Sequence, residues 1–148
     1  KELAGIISVR SCERLHGCEI PAEKIASLVD EVPVLSLVAA HARGITVFRE
    51  VSELRVKETD RIQAIIDGLS LLGVNAWMDG NDLYIEGDPD LEVPEGVEFS
   101  SGGDHRLAMT WALAGLVGNA AVRIADFEAV SVSYPGFLED IRSLERRR

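Results

Sequence analysis

The sequence is poor in the residues that mark several classes of protein. Its 148 residues include two cysteines, Cys12 and Cys18, with no Cys-x-x-Cys pair and no nearby Cys/His cluster, which argues against a metal site. No apolar run approaches the roughly 20 residues that cross a bilayer, and no signal-like N-terminus is present. Two lone thiols are typical of a reducing compartment, so we expect a cytoplasmic protein that does not contact membranes.

Basic residues are scarce as well. The chain has 15 lysines and arginines against 25 aspartates and glutamates, a formal net charge of −10. Nucleic acid calls for a basic face, so this balance argues against a nucleic-acid partner. The length and a hydrophobic content of 47% suffice for the core of about one globular domain. Because the chain opens at Lys1 and enters the apolar segment 3–9 at once, we expect a piece of something longer.

An internal repeat emerges when Asp30 is aligned with Asp104. Each aspartate precedes an apolar helical stretch, at 32–42 in the first copy and at 107–117 in the second, and is a candidate N-cap. Similar elements follow in both copies. They are short strands at 45–49 and 121–124, an irregular loop, and second helices at 59–72 and 134–144.

Two further strands are predicted in the first copy, around the turn Asp79-Gly80-Asn81-Asp82, which is a good hairpin signal. The sequence therefore predicts an α/β fold of repeated β-α-β-α-β-β units, each of about 75 residues and packed side by side. The segment 3–10 is expected to be the last strand of an earlier unit. We accordingly divide the chain into the end of a preceding unit, a first unit and a last unit, at 1–27, 28–90 and 91–148.

Arg55, Lys57 and Arg61 place three cations within seven positions of this acidic chain. One interpretation is a solvated charged loop beside a helix cap. The other is an anion-binding site, because close cations repel one another unless an anion is present. Glu58, which lies among them, is then either a proton carrier or a structural charge partner.

A second basic segment follows two glycines, as Gly102-Gly103-Asp104-His105-Arg106. In the structural interpretation Asp104 is an N-cap, and His105 and Arg106 are simply exposed in the first helical turn. Cations in a first turn oppose the helix dipole by about 0.3–1 kcal/mol each. A bound anion would reverse that penalty, which favours an anion site at the helix start. Together with the first basic segment, this pattern indicates chemistry on a phosphorylated or carboxylated small molecule. We expect the packing of the two copies to bring Lys57, Arg61, His105 and Arg106 to one side of the chain, with Asp30 and Glu58 nearby.

Asp30 has apolar neighbours on both sides. It is either a helix cap, with Pro33 in the permitted first turn, or a partly desolvated carboxylate. Desolvation would raise the pKa of that carboxylate into the range of a general base. The repeat alone does not choose between these alternatives.

Four motifs resemble one family. RVKETDRI at 55–62, DHRLAM at 104–109 and SYPGF at 133–137 resemble the C-terminal signatures of the 5-enolpyruvylshikimate-3-phosphate (EPSP) synthase family, and LVDEVPVL at 28–35 resembles its catalytic-aspartate segment. Order and spacing agree along nearly the whole chain. The resemblance implies two domains, each of three β-α-β-α-β-β units, with the active site in the cleft between them. This chain would be most of one domain.

The resemblance also implies a reaction and its catalytic groups. The family transfers the enolpyruvyl group of phosphoenolpyruvate to the 5-hydroxyl of shikimate 3-phosphate and releases phosphate, with no metal or other cofactor. Asp30 matches the aspartate that accepts the hydroxyl proton and contacts the shikimate ring. Glu58 matches the glutamate implicated in proton transfer at the methylene carbon.

Four further residues match binding positions of the family. Arg61 and Arg106 match the arginines that hold the phosphoenolpyruvate carboxylate, which suits the bidentate guanidinium. Lys57 matches the lysine on shikimate 3-phosphate, and His105 matches a neighbouring histidine of the site.

Two positions depart from some members of the family, which carry Asn in place of Glu53 and Lys in place of Val132. Phosphate neutralisation should then depend more on cations of the missing N-terminal domain. We expect the chain alone to be inactive and to self-associate through an uncovered apolar face and sheet edge.

Two alternatives to this function remain. One is a related enzyme acting on UDP-N-acetylglucosamine, which the residues of the motifs RVKETDR and DHR disfavour. The other is a non-catalytic anion-binding module, in which Asp30 and Glu58 could be neutralised without consequence.

Overall fold

The computed structural model describes residues 5, 8, 10 and 12–145. Its helices are α1 (Ala22–Leu28), α2 (Val32–Ala40), α3 (Arg61–Leu71), α4 (His105–Gly118), α5 (Val130–Ser133) and α6 (Phe137–Glu145). Its strands are β1 (Glu19–Ile20), β2 (Gly44–Phe48), β3 (Asn75–Asp79), β4 (Asp82–Gly87), β5 (Glu98–Ser100) and β6 (Arg123–Ala125). Short 3-10 turns at Ser52–Val56 and Phe127–Ala129 precede α3 and α5. None of the described helices is long and apolar enough to cross a membrane.

The described strands form two sheets. Strands β1 to β4 lie in the order β1-β2-β4-β3, in which β1 is parallel to β2 and the other neighbours are antiparallel. Strands β5 and β6 form a separate parallel pair, with Phe99 beside Ile124. Each parallel pair is joined by a connection that contains a long helix, α2 or α4, because parallel strands need such a crossover.

The predicted α/β architecture and the repeat within it are confirmed. The order β1–α2–β2 in the first copy corresponds to β5–α4–β6 in the second, and each is followed by a 3-10 turn and further helix. The predicted hairpin is confirmed too, since Asp79 pairs with Asp82 across the turn and Gly80 has a φ of 60°. The strand predicted at 3–10 lies almost entirely outside the described residues.

The two aspartates that revealed the repeat differ in their local roles. Asp104 is the N-cap of α4, as predicted, and its side chain accepts from the backbone of the first turn. Asp30 does not cap α2, so that interpretation is wrong. Glu31 occupies the N-cap position and makes no side-chain cap bond. The Asp30 carboxylate is instead bound to two arginine side chains.

The last predicted helix, at 134–144, is shorter than expected. The chain forms α5 up to Ser133, breaks at Tyr134 with φ −145° and ψ 76°, and resumes as α6 at Phe137. A residue that precedes a proline is driven away from helical conformation, and Pro135 imposes that restriction on Tyr134.

Helices α2 and α3 pack against the larger sheet, α4 packs against both of them, and a close contact joins α3 to α4. The indole of Trp111 in α4 is fully buried and stacks on Phe99, with ring centroids 4.8 Å apart. Gly68 of α3 lies against the same indole, and a Cβ there would overlap it. This close approach brings the starts of the two helices together. Arg61, the first residue of α3, is the one charged residue among the largest fully buried side chains of the described part.

Candidate active site

Three segments that are distant in sequence meet where α2, α3 and α4 begin. The turn before α2 contributes Asp30, the loop before α3 leads to Glu58 and Arg61, and the start of α4 contributes Asp104 and Arg106. Each segment begins a helix of the repeated unit. The packing of the two copies therefore places these helix starts side by side, as the repeat predicts.

Arg61 is at the centre of the cluster. Its side chain is 1% exposed, and each of its three nitrogens donates to a different carboxylate. Nε lies 2.7 Å from Asp104 Oδ2, Nη1 lies 3.0 Å from Asp30 Oδ1, and Nη2 lies 2.6 Å from Glu58 Oε2. Burial lowers the pKa of the guanidinium, but the hydrogen bonds to Asp104 and Asp30 outweigh burial and raise the pKa above its ordinary value. Arg61 is therefore charged and held on three sides.

Asp30 bridges the two arginines of the cluster. Its Oδ1 accepts from Arg61, and its Oδ2 accepts from Arg106 Nη2 at 2.9 Å. The hydrogen bond from Arg61 lowers the pKa of Asp30 and outweighs the effect of burial, and the charges of Arg106 and Lys57 lower it further. The expectation of a raised pKa is therefore wrong. The carboxylate is 42% exposed and faces cations, so desolvation does not dominate.

Asp104 is also a member of the cluster, although its sequence pattern predicts only a helix cap. Its side chain is fully buried, and its Oδ1 accepts from the backbone N–H groups of Arg106 at 2.8 Å and Leu107 at 3.3 Å. Its Oδ2 accepts from Arg61. The sequence signal was that of an N-cap alone, because the partner arginine lies 43 residues away.

The cations of the loop before α3 are paired within the chain. Lys57 Nζ lies 2.8 Å from Glu53 Oε1, and Arg55 Nη1 lies 3.2 Å from Asp60 Oδ2. Their mutual repulsion therefore does not require an external anion, because carboxylates of the chain balance their charges. Lys57 is nevertheless close enough to Asp30 to lower the pKa of that carboxyl.

The remaining candidates differ in their contacts. Glu58 is 52% exposed, so its carboxylate remains accessible while it pairs with Arg61. His105 is half-buried in the first turn of α4, and no hydrogen bond or ion pair with another described residue involves its side chain. Val132 lies on α5 and is 87% exposed.

A small cavity of about 260 Å³ opens beside Asp30 and Arg106. Its wall includes Phe137 of the SYPGF motif, which places that motif next to the charged cluster. A second, apolar opening lies between α4 and α6, and we refer to it as the α4–α6 groove. It has a volume of about 750 Å³ and is lined by Ala112, Gly115, Leu116, Asn119, Ala120, Val122, Ile124, Phe127, Leu138 and Ile141. Within the described range, no group of three or more His, Cys, Asp or Glu side chains is arranged to hold a metal ion.

Comparisons with known proteins cover all three segments of the cluster. The family model for EPSP synthase (3-phosphoshikimate 1-carboxyvinyltransferase) matches residues 4–141. A 3-phosphoshikimate 1-carboxyvinyltransferase from Desulfitobacterium hafniense is 48% identical over 131 residues, which are 88% of this chain and 29% of that protein. Its counterpart from Roseiflexus castenholzii is 46% identical over 143 residues, which are 97% of this chain and 32% of that protein.

A solved structure gives the same result. EPSP synthase from Acinetobacter baumannii superposes with a TM-score of 0.77 at 37% identity, over 85% of this chain and 29% of that one. The chain thus spans less than a third of the length of these relatives. Because the family match extends over nearly all of the chain and includes the three helix starts, the chain belongs to the EPSP synthase family.

Proposed function

We propose that the complete protein containing this chain is a 3-phosphoshikimate 1-carboxyvinyltransferase. It transfers the enolpyruvyl group of phosphoenolpyruvate to the 5-hydroxyl of shikimate 3-phosphate and releases phosphate. The observation that carries this proposal is the Asp30 carboxylate held between Arg61 and Arg106, with Glu58 on the same guanidinium. A carboxylate base, a carboxylic acid and paired bidentate cations suit the addition of a hydroxyl to an enol phosphate.

The proton transfers are assigned to the two accessible carboxylates. Asp30 accepts the proton of the 5-hydroxyl of shikimate 3-phosphate. At the same time the hydroxyl oxygen bonds to the carbon of phosphoenolpyruvate that carries the phosphate. The hydrogen bond from Arg61 lowers the pKa of Asp30, so the carboxylate is ionised at neutral pH. Glu58, in its protonated form, gives a proton to the methylene carbon in the addition. Phosphate then leaves with the proton that Asp30 accepted, Glu58 takes back a proton from the resulting methyl group, and the double bond is restored.

The arginines are assigned to the phosphoenolpyruvate carboxylate. Both of them already bind one carboxylate, that of Asp30, at 2.9 and 3.0 Å. Their guanidinium groups are thus spaced to share a single carboxylate, and Arg106 is 31% exposed and within reach of a ligand. Lys57 is assigned to shikimate 3-phosphate, and His105 to a neighbouring position in the site.

The charge of the cluster supports a contribution from the rest of the protein. Its cations are fewer than its carboxylates: Lys57, Arg61 and Arg106 against Asp30, Glu53, Glu58 and Asp104. Two phosphorylated substrates require more positive charge than this. We assign it to the N-terminal domain, with this chain as the C-terminal portion of the protein. The exposed free thiols of Cys12 and Cys18 suit a cytoplasmic location.

The test is a transfer assay on the complete gene product that carries this sequence. Phosphate release should require both phosphoenolpyruvate and shikimate 3-phosphate. Release with UDP-N-acetylglucosamine as the acceptor instead would assign the protein to the related transferase. Binding of both ligands without phosphate release would favour an anion-binding module.

A Glu58→Gln variant tests the proton carrier. We expect turnover to fall by about 10²–10⁴-fold, because general acid–base groups contribute that much, while ligand affinity changes far less. Glu98→Gln is the matched control, since Glu98 also pairs with an arginine, Arg123 at 2.8 Å, but in an exposed pair outside the cluster. Wild-type turnover by the Glu58→Gln enzyme would reduce Glu58 to a charge partner.

A further inference from the structure

One fully buried carboxylate has no part in the proposed reaction, although it touches both arginines assigned to the phosphoenolpyruvate carboxylate. Asp104 Oδ2 accepts from the side chain of Arg61, and Asp104 Oδ1 accepts from the backbone N–H of Arg106. Burial of a carboxylate is unfavourable unless its oxygens are bonded to donors, and here both of them are. The Asp104 carboxylate therefore fixes the first turn of α3, which contains Arg61, relative to the first turn of α4, which contains Arg106.

We propose that Asp104 is a positioning residue that sets the orientation of the Arg61 guanidinium, and its spacing from Arg106, for binding a ligand carboxylate. This inference rests on the proposed function and goes beyond it. A guanidinium is planar, so a bond that anchors Nε fixes the direction in which the two Nη groups point.

The exposure of the three carboxylates around Arg61 shows that direction. Asp104 on Nε is fully buried, whereas Asp30 on Nη1 is 42% exposed and Glu58 on Nη2 is 52% exposed. The buried edge of the guanidinium is thus held from the interior. The two Nη groups point toward the accessible carboxylates, which cover them in this structure and which a ligand carboxylate would displace.

The same aspartate also fixes the second arginine. Arg106 is the second residue of α4, and its N–H is bonded to Asp104 Oδ1 at 2.8 Å. The two oxygens of one rigid carboxylate therefore set the positions of the two arginines together. A ligand carboxylate shared by Arg61 and Arg106 is bound more weakly when the distance between the two guanidinium groups is not maintained, because its hydrogen bonds need a fixed geometry.

Asp104→Asn separates positioning from capping. Asparagine caps helices about as well as aspartate, so its single side-chain oxygen can serve the α4 backbone. Its amide NH₂ then faces the Arg61 Nε–H and cannot accept from it. Asp104→Ser is a second variant, since serine also caps a helix but is too short to reach Arg61.

In the complete gene product, we expect both variants to raise the KM for phosphoenolpyruvate by about tenfold, as the loss of one charge-assisted hydrogen bond predicts. The KM for shikimate 3-phosphate should change by less than about twofold, because neither of its assigned contacts, Lys57 and Asp30, is bonded to Asp104. Asp60→Asn is the matched control: Asp60 is the N-cap of α3 and also pairs with an arginine, Arg55, but its carboxylate is not among the three that bind the Arg61 guanidinium.

A double-mutant cycle shows whether Asp104 acts through Arg61. Arg61→Lys keeps the positive charge but removes the Nε–H, so adding Asp104→Asn to it should raise the KM for phosphoenolpyruvate by less than about twofold. Additive effects would overturn the proposal, as would a wild-type KM in folded Asp104→Asn or an equal rise in both KM values. If both Asp104 variants fail to fold while Asp60→Asn folds, the residue is structural and the proposal is wrong. A wild-type protein that releases no phosphate would instead refute the proposed function.

Discussion

The Arg106 guanidinium donates hydrogen bonds to both the side chain and the backbone of Asp30. Nη2 donates to the carboxylate at 2.9 Å, and Nη1 donates to the backbone carbonyl at 3.3 Å, across 76 positions of sequence. This contact joins the turn before α2 to the first turn of α4, which are equivalent places in the two copies of the repeat. The candidate site therefore forms only when both copies are packed together.

Asp30→Asn should lower turnover by about 10²–10⁴-fold in the complete gene product, since an amide cannot accept the hydroxyl proton. The KM for phosphoenolpyruvate should not rise. In the wild type, the Asp30 carboxylate occupies Nη groups of both arginines, so a ligand carboxylate competes with it there. Steady-state kinetics with each substrate varied in turn provide the measurement.

Glu31→Gln is the control for this variant, because it makes the same charge change one residue away. Glu31 is exposed at the start of α2, and the ion pairs among the described residues do not include it. A parallel loss of turnover in both variants would mean that overall charge, rather than proton acceptance by Asp30, explains the effect.

The pH dependence of stability should reveal the lowered pKa of Asp30. A carboxyl group with a depressed pKa in the folded state stabilises the fold fully above its unfolded pKa and loses that effect as the pH falls through the folded value. The ordinary value here is 3.8, so the contribution of Asp30 should be constant above about pH 4 and disappear in more acidic solution. Urea unfolding of wild type and Asp30→Asn, from about pH 7 to about pH 2.5, measures the difference. A difference that already declines between about pH 7 and pH 5 would indicate a raised pKa instead.

The sequence predicted which helix starts meet, but not how their charges pair. The alignment of Asp30 with Asp104 depends only on local pattern, and it correctly placed Asp30, Arg61 and Arg106 together. The sign of the pKa shift at Asp30 depends on whether burial or an arginine contact dominates. That balance is decided by side chains 31 and 76 positions away, which no local pattern specifies. The catalytic and binding roles stay proposals.

Local rules likewise succeeded or failed according to the range of the interaction. The Asp79–Asp82 hairpin and the Asp104 cap are set within four residues, and both were predicted. The second bond of Asp104, to Arg61, is a tertiary contact and was missed. Charge repulsion among Arg55, Lys57 and Arg61 was likewise misjudged, because their carboxylate partners had not been assigned.

Gly68→Ala should destabilise the chain, although alanine is the better helix former by about 1 kcal/mol. The added Cβ would overlap the indole of Trp111, which is buried and stacked on Phe99 and has little room to move. We expect a net loss of about 1–3 kcal/mol in the free energy of unfolding, as is usual for overpacked cores. Urea unfolding gives the value. Ser70→Ala, at an exposed position of the same helix, is the control and should be neutral or slightly stabilising. Unchanged or higher stability of Gly68→Ala would show that Trp111 shifts freely.

The isolated 148-residue chain should fold without catalysing the transfer, and it should self-associate. Folding is supported by the continuous core that joins the helices to the larger sheet. Catalysis requires both substrates to be held in a closed, water-excluding site, and the cluster has fewer cations than carboxylates. Phosphate release should therefore be undetectable with both substrates present, and native-like turnover would overturn the two-domain interpretation.

Self-association is expected through the α4–α6 groove, because most of the side chains that line it are apolar and apolar side chains open to solvent favour contact with another chain. Sedimentation over a range of concentrations should show species larger than the monomer. Leu138 lines the groove and is 43% exposed, so Leu138→Glu should shift the chain toward monomer. Leu71→Glu is the control, since Leu71 is 49% exposed at the end of α3 and does not line the groove. A wild-type chain that stays monomeric at all concentrations would contradict the prediction. An equal effect of both variants would place the contact elsewhere.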